Sequence, residues 1–299
     1  MKLGFLGLDG AGKTSLLLAL GKKFSAVSNL KATKGIERDS VDILGLEVNL
    51  WDFGGQKAYR DRYLSKSKDL EGLDVIFFVI DAQNTKRIDE ALDYLKDILA
   101  SAKDFNKEHL IVCIHKADPD VQKTDKFGDT VDKIQDETEN LAPEAYAFPW
   151  TSIFDEHSIF SAFSMGLRMV TSRKELAEKW MQKALDDTDS VFGALLGRVP
   201  PMSFVIATRT DDPSLGDICE RAALELVGMD QNLRKTPLAS KAIVGHLKQG
   251  TYVLKPELID GKMFYVMLFS QEASSAEEIL DNLKDSISHL PGLLTTLKI

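Results

Sequence analysis

Cysteine is almost absent from the chain: among 299 residues only Cys113 and Cys219 occur. Each has apolar neighbours, Val112 and Ile114 for the first and Ile218 for the second, so they read as one strand residue and one helix residue. Neither a disulfide framework nor a metal cluster is expected, and a reducing, cytoplasmic compartment follows. No run approaches the roughly 18 consecutive apolar residues of a membrane-spanning helix. The N-terminal residues pass straight into an apolar run, without a charged leader or a small-residue cleavage site. Position 2 is Lys rather than Gly, and Leu297-Lys298-Ile299 holds no prenylation Cys, so no direct membrane anchor is expected. Recruitment to a membrane would have to come through a partner. Basic excess is lacking too: 37 Lys and Arg against 46 Asp and Glu leave a net charge of -9. A sequence-independent grip on nucleic acid needs a basic face, so no nucleic-acid partner is expected.

What is present is an ordinary globular composition, 44% hydrophobic and 28% charged, on a chain long enough for two domains. Short apolar runs alternate with segments of helical period over the first half, which predicts an α/β unit with a mostly parallel six-stranded sheet. The strands are expected at 2–7, 36–44, 46–52, 74–81, 109–115 and 145–150, with a tight turn at Gly45. Ile88, Ala91, Leu92, Leu95, Ile98 and Leu99 fall on one helical stripe, and Ile159, Phe160, Phe163, Leu167 and Val170 on another. Residues 121–140 turn polar and predict an exposed loop leading into a surface helix. The polar stretch 171–175 marks the expected exit, giving domains 1–172 and 176–299. The second domain is expected to be smaller and α+β: a helix carrying Leu176, Trp180 and Leu185, strands at 190–196 and 202–210 around the 197–201 turn, and a helix from Pro213 with Ile218 on its apolar face, ending near Gly228. A hairpin at 251–254 and 262–270 around Asp260-Gly261 follows, then a helix from Ser274 or Ser275 that breaks at Pro291.

Three segments carry chemistry. Gly7-Leu8-Asp9-Gly10-Ala11-Gly12-Lys13-Thr14 fits the phosphate-binding loop pattern and stands between an apolar strand and the helix-forming run that begins at Ser15. Its backbone NH groups would converge on phosphates at a helix start. Lys13 would reach the β and γ phosphates, and the Thr14 hydroxyl would ligate Mg²⁺. Trp51-Asp52-Phe53-Gly54-Gly55-Gln56 ends the third strand; Asp52 is placed for a second contact to Mg²⁺, the Gly55 NH for the γ phosphate, and Gln56 for orienting the attacking water. His115-Lys116-Ala117-Asp118 ends the fifth strand. The Asp118 carboxylate would accept both the ring NH and the exocyclic amine of guanine, and the Lys116 stem would pack over the base. His115 reads either as an ordinary strand-end histidine or as part of the base site. Thr151, Ser152 and Ile153 follow the sixth strand, where their NH groups would meet the guanine oxygen.

Taken in order, these blocks resemble the Ras-superfamily GTPases, and the first two are most similar to the Arf and Rag branches. His115-Lys116-Ala117-Asp118 and Thr151-Ser152-Ile153-Phe154-Asp155-Glu156 resemble the corresponding Rag segments. The resemblance implies a switch threonine at Thr33, which would join Thr14 and Asp52 around Mg²⁺, although Lys34 departs from the usual Ile. It also implies a roadblock-like or longin-like domain over 176–299, through which the chain would form a homodimer or a heterodimer with a paralogue. GTP and GDP are the implied ligands, and slow hydrolysis assisted by GTPase-activating and exchange partners is the implied activity, since no arginine stands at an evident place to assist in cis. A nucleotide-bound assembly scaffold with little hydrolysis is the rival reading; an ATPase is a third, against which Asp118 argues.

Overall fold

The computed structural model describes residues 1–20, 33–43, 46–65, 67–170, 174–198, 201–235, 241–259, 261–271 and 275–297. The expected Gly45 turn, residues 171–173 of the domain exit, the middle of the 197–201 turn, Asp260 and Ser274 lie outside the described residues. Contacts divide the chain into two units, one formed by Met1–Asp42 and Glu47–Ala162, the other by Ile43–Leu46 and Phe163–Ile299.

In the first, β1 (Lys2–Leu6), β2 (Ile36–Ile43), β3 (Leu46–Phe53), β4 (Val75–Asp81), β5 (Leu110–His115) and β6 (Trp150–Thr151) form one sheet in the order β2-β3-β1-β4-β5-β6. β1 runs parallel to both β3 and β4, β4 to β5, and β5 to β6. β4 and β5 are continuous apolar runs and are buried almost throughout, as strands covered on both faces must be. The helices are α1 (Lys13–Leu20), α2 (Lys57–Ser65), α3 (Ile88–Ser101), α4 (Asp125–Leu141) and α5 (Glu156–Val170). α3 buries Ile88, Ala91, Leu92, Leu95 and Ile98, the stripe its sequence prescribes, and Leu99 is half-buried at its edge. α4 starts where the Thr124 hydroxyl accepts the Phe127 NH at 3.3 Å, and buries Phe127, Val131 and Ile134.

Two local outcomes differ from expectation. β6 is confined to two residues rather than spanning 145–150: Ala147 forms a lone bridge to Ile111, and Pro149 has no NH and contributes only its carbonyl, which accepts the Ile114 NH at 3.0 Å. α2 has no apolar stripe to announce it and buries only Arg60 and Tyr63.

In the second unit β7 (Phe192–Gly197), β8 (Met202–Thr208), β9 (Ile243–Leu247), β10 (Gly250–Ile259) and β11 (Lys262–Ser270) form a sheet ordered β8-β7-β11-β10-β9, antiparallel at every pairing. Its helices are α6 (Lys174–Thr188), α7 (Pro213–Leu233), α8 (Ala276–Ser288) and α9 (Leu290–Leu297). On the central strand β11, the Tyr265 hydroxyl donates to Asp230 of α7 at 2.8 Å, whereas Leu268 lies beside Gly193 with Met181 and Leu185 of α6. Residues 265 and 268 have opposite parity and point to opposite faces. Helices therefore cover both sides, which explains why Phe264–Phe269 needs no polar alternation. A buried Arg168–Glu220 pair, 2.8 Å apart, is completed by the Ser203 hydroxyl on the same carboxylate oxygen at 2.5 Å.

Four features of this unit differ from expectation. α7 runs through Gly228 to Leu233, since an interior glycine costs only about 1 kcal/mol against alanine. Ile218 and Leu176 are 45% and 44% exposed; the buried faces are carried by Leu215, Cys219 and Ala223 in α7 and by Ala177, Met181 and Ala184 in α6. β9, broken in sequence by Gly245, was not foreseen. Pro291 falls in the first turn of α9, where its missing NH has no helical partner to lose, so it opens a helix as well as ending α8. Among the described residues no helix is long and apolar enough to cross a membrane.

Ile98 has no exposed surface and belongs to the apolar core between α3 and the sheet. Ile98→Ala should destabilise the protein by about 2–5 kcal/mol in denaturant unfolding followed by circular dichroism, while the exposed neighbour Lys96→Ala should stay within about 0.5 kcal/mol of the parent.

Candidate functional site

The parallel registers bring the carboxyl ends of five strands, β1, β3, β4, β5 and β6, to one side of the sheet. Phe5 pairs with Asp52, Leu6 with Phe78, Asp81 with His115, and His115 with Thr151. Each of the sequence segments singled out above therefore emerges on one edge of the sheet, outside the carboxyl ends of its strands, where ligands of open α/β sheets bind.

The first of them curls over that edge. The Ala11 NH donates to Leu8 O at 3.3 Å, and the Leu16 NH to Gly12 O at 3.0 Å, which starts α1. Gly12 has φ 102°, and a Cβ there would lie 2.3 Å from Cδ2 of His115. The imidazole is buried against the underside of the loop, and its Nδ1 lies 3.0 Å from the Thr151 hydroxyl. His115 thus supports the loop from below. The Lys13 ammonium is buried and donates to Gly7 O at 3.1 Å and Leu8 O at 2.8 Å. A cavity of about 310 Å³, within the size of small-ligand clefts, is walled by Asp9, Gly10, Gly12, Lys13, Thr14, Ser15, Thr33, Gly55, Gln56 and Lys116. Ala11 is buried behind it.

At one end of the cavity three oxygen-bearing side chains converge. Thr14 donates its hydroxyl to Asp52 Oδ2 at 2.5 Å, Thr33 donates to the same oxygen at 3.1 Å, and the two hydroxyls lie 3.0 Å apart. Asp52 Oδ1 is buried with no hydrogen-bond partner. An all-oxygen donor set with an orphaned carboxylate oxygen fits a hard cation such as Mg²⁺. Burial pushes the Lys13 ammonium down to about 8 against the pull of Asp52, and burial pushes the Asp52 carboxyl up against its bond from Thr14. Both charges are withheld from water and are suited to counter-charges inside the site.

Gly55 rests directly on the loop. Its carbonyl accepts the Asp9 NH at 3.1 Å, and a Cβ at this position would lie 2.2 Å from Asp9 N. Only glycine permits that approach. Gln56 is exposed at the cavity wall, and its carbonyl accepts the NH groups of Tyr59 at 2.9 Å and Arg60 at 3.0 Å, opening α2.

At the other end, Lys116 adopts φ 60° and its ammonium bridges Gly10 O at 2.9 Å and Asp81 Oδ2 at 2.6 Å, tying the β5 end to the loop. The Asp118 carboxylate is fixed on both oxygens: Ser152 donates its hydroxyl to Oδ1 at 2.5 Å, and Gln83 donates Nε2 to Oδ2 at 2.9 Å. Ser152 also anchors a tight turn, accepting the Phe154 NH at 3.1 Å, and this turn displays Ile153 half-buried and Phe154 at 74% exposure.

Gln83 was not singled out in the sequence, nor was Arg87. The Arg87 guanidinium reaches Asp9, 2.9 Å to Oδ1 and 3.2 Å to its carbonyl, and also grips Glu90. Both residues lie in the connection after β4, where no contiguous motif marks them. Their distance in sequence from their partners left no signal to find.

Sheet order, phosphate loop and strand-end clusters together define a P-loop protein with a Ras-like sheet. Residues 2–200 match the Gtr1/RagA G protein conserved region, and the chain belongs to that family. It is 30% identical to the GTP-binding protein GTR1 of Saccharomyces cerevisiae over 171 residues, covering 54% of either chain. It is 34% identical to ADP-ribosylation factor-like protein 3 of Caenorhabditis elegans over 119 residues, 40% of this chain and 61% of that one. To the Ras-related GTP-binding protein A of Dictyostelium discoideum it is 27% identical over 170 residues, 54% of this chain and 55% of that one. The chain thus spans little more than half the length of the curated relatives it matches.

Burial, and then the charge of Lys116, lowers His115 from 6.5 to about 4. The unfolded chain takes up a proton at His115 below about 6.5 that the folded protein refuses until about 4, so this group costs stability as pH falls through that window, by about 3 kcal/mol at its foot. Thermal melting from neutral pH down to about 4 should fall less steeply in His115→Asn than in the parent; parallel curves would contradict a neutral, buried imidazole.

Proposed function

We propose that this chain is a GTP-binding and GTP-hydrolysing switch, with residues 1–172 as its nucleotide domain. The observation that carries the reading is the placement of a doubly held carboxylate, Asp118, at the opposite end of one strand-end row from the Thr14, Thr33 and Asp52 cluster. The loop 7–14 and Lys13 hold the phosphates, with Ser15 at the cavity wall where α1 begins. Asp118 accepts two donors from guanine that adenine does not present together, and Ser152 and Gln83 keep its oxygens aimed. Lys116 flanks the base, and the turn at 151–153 lies near its oxygen. Thr14, Thr33 and Asp52 would hold Mg²⁺, which when bound neutralises phosphate charge. Gly55 and Gln56 face the end of the phosphates, where Gln56 orients the attacking water. Thr33 and residues 52–64 then form the segments whose order depends on the nucleotide.

Residues 176–299 serve in this reading as a roadblock-like or longin-like interaction domain that pairs with a second copy or a paralogue. Activating and exchange partners regulate turnover, and a membrane, if reached, is reached through them from the cytoplasm. The scaffold alternative gives Gln56 no task, whereas the switch does.

Nucleotide released from the purified protein should chromatograph as GDP or GTP, and GDP should outcompete ADP for the site. Asp118→Asn should relax that preference by about ten-fold or more, because an amide presents a donor where the base also donates. Equal competition by GDP and ADP against the unmutated protein would sink the guanine reading.

Gln56→Leu should keep GTP affinity while slowing single-turnover hydrolysis about ten-fold or more, measured with an activating partner if intrinsic turnover is slow. Matching rates in mutant and parent would remove Gln56 from the mechanism and favour the scaffold.

A further inference from the structure

Asp9 is an acidic residue in a loop read as a phosphate cradle. Asp9 shares the cavity wall with Lys13, Gly55 and Gln56, and its NH donates to Gly55 O at 3.1 Å. In the nucleotide reading Gly55 and Gln56 face the end of the phosphates, and the bond to Gly55 brings residue 9 to that end. A carboxylate beside a phosphate repels it. Arg87 meets it. The guanidinium donates to Asp9 Oδ1 at 2.9 Å and to Asp9 O at 3.2 Å, so it grips both side chain and backbone of the loop.

Arg87 is itself held. Its Nε donates to Glu90 Oε2 at 2.7 Å and its NH2 group to Glu90 Oε1 at 3.1 Å, while Arg60 of α2 donates to the same Oε1 at 2.6 Å. Arg60 is buried, with its guanidinium over the Tyr94 ring at 5.1 Å. Two cations and two carboxylates therefore run as one chain from α2, which directly follows Gln56, through Glu90 of α3 to the phosphate loop. The Arg87 and Asp9 side chains are 32% and 46% exposed. An exposed pair of this kind adds little to fold stability. Its position beside a ligand cavity gives it a different use.

Resting on the nucleotide reading above, we infer that Arg87 is a positioning residue that neutralises Asp9 and thereby sets the preference of the pocket for a nucleoside triphosphate over a diphosphate. A diphosphate stops short of Asp9 and is little affected by that charge. A triphosphate places its terminal group beside it. Loss of Arg87 exposes the ligand to the full repulsion, and Glu90 and Arg60 keep the guanidinium from leaving.

The test uses the full chain, fluorescent GDP and a fluorescent, slowly hydrolysed GTP analogue, both with Mg²⁺, and reads the ratio of their dissociation constants. Arg87→Gln should weaken the triphosphate about ten-fold more than the diphosphate, equivalent to about 1.4 kcal/mol. Arg87→Lys should keep most of the ratio, and adding Asp9→Asn to Arg87→Gln should restore it, which a merely structural role would not produce. Melting temperatures of all variants verify folding, and if Arg87→Gln does not fold, Arg87→Lys and Asp9→Asn still report, the latter by shifting the ratio toward the triphosphate. An unchanged ratio in Arg87→Gln, or no rescue by Asp9→Asn, overturns the inference while leaving guanine-nucleotide binding intact. Failure of the unmutated chain to bind either probe overturns the nucleotide reading, and the inference with it.

Discussion

The parallel alignment of β1 between β3 and β4 is the constraint on which the pocket rests. Parallel neighbours deliver their carboxyl ends to the same edge, so the ends of β1, β3 and β4 lie along one side although they come from distant parts of the chain. The phosphate loop, the Asp52 cluster and the cavity wall at Gly55 are what the backbone does in the few residues after those ends. β5 extends the same row, and its last residue, His115, fills the space under Gly12. The helix on either side then needs only an apolar stripe to hold the layer in place, and α3 supplies one.

Much of this was legible in the sequence because the chemistry is written in contiguous stretches. A loop that must curl around phosphate needs glycines within a few residues of one another, and a strand end that must present a carboxylate does so at a fixed step from its apolar run. The sheet and the stripes of α3 and α5 were legible for the same reason: each is a periodic signal within one element. What escaped was whatever joins elements. Gln83 and Arg87 act on Asp118 and Asp9, and Arg60 acts on Glu90, through pairings that no local pattern encodes. α2 escaped because its helix is polar and buries little. β9 escaped because Gly245 interrupts a run of five residues, and the end of α7 because a single interior glycine, which costs only about 1 kcal/mol, is no stop signal.

Polar contacts divide the site into two temperaments. Around Asp118 the oxygens are already met by Ser152 and Gln83, and Lys116 is bound at both Gly10 and Asp81, so this end is assembled in advance. Around Asp52 one carboxylate oxygen has no partner, and Lys13 leans on the carbonyls of its own loop. A site rigid at one end and incompletely satisfied at the other can recognise part of a ligand without rearrangement and respond to the rest of it. That is the distribution of order a two-state device requires.

The strand order of the second sheet carries a consequence for how the chain is made. β7 and β8 pair with each other early in the sequence, yet β7 gains its other neighbour only when β11 arrives, after α7, β9 and β10 have been synthesised. On the ribosome the β7 and β8 hairpin must wait with one edge open and its apolar faces only partly covered. β11, the most continuous apolar strand of the unit, then slots between finished halves. Vectorial synthesis thus leaves the middle of this sheet as the last gap to close, and an unclosed edge of that kind is where a nascent chain is most exposed to pairing with a stranger.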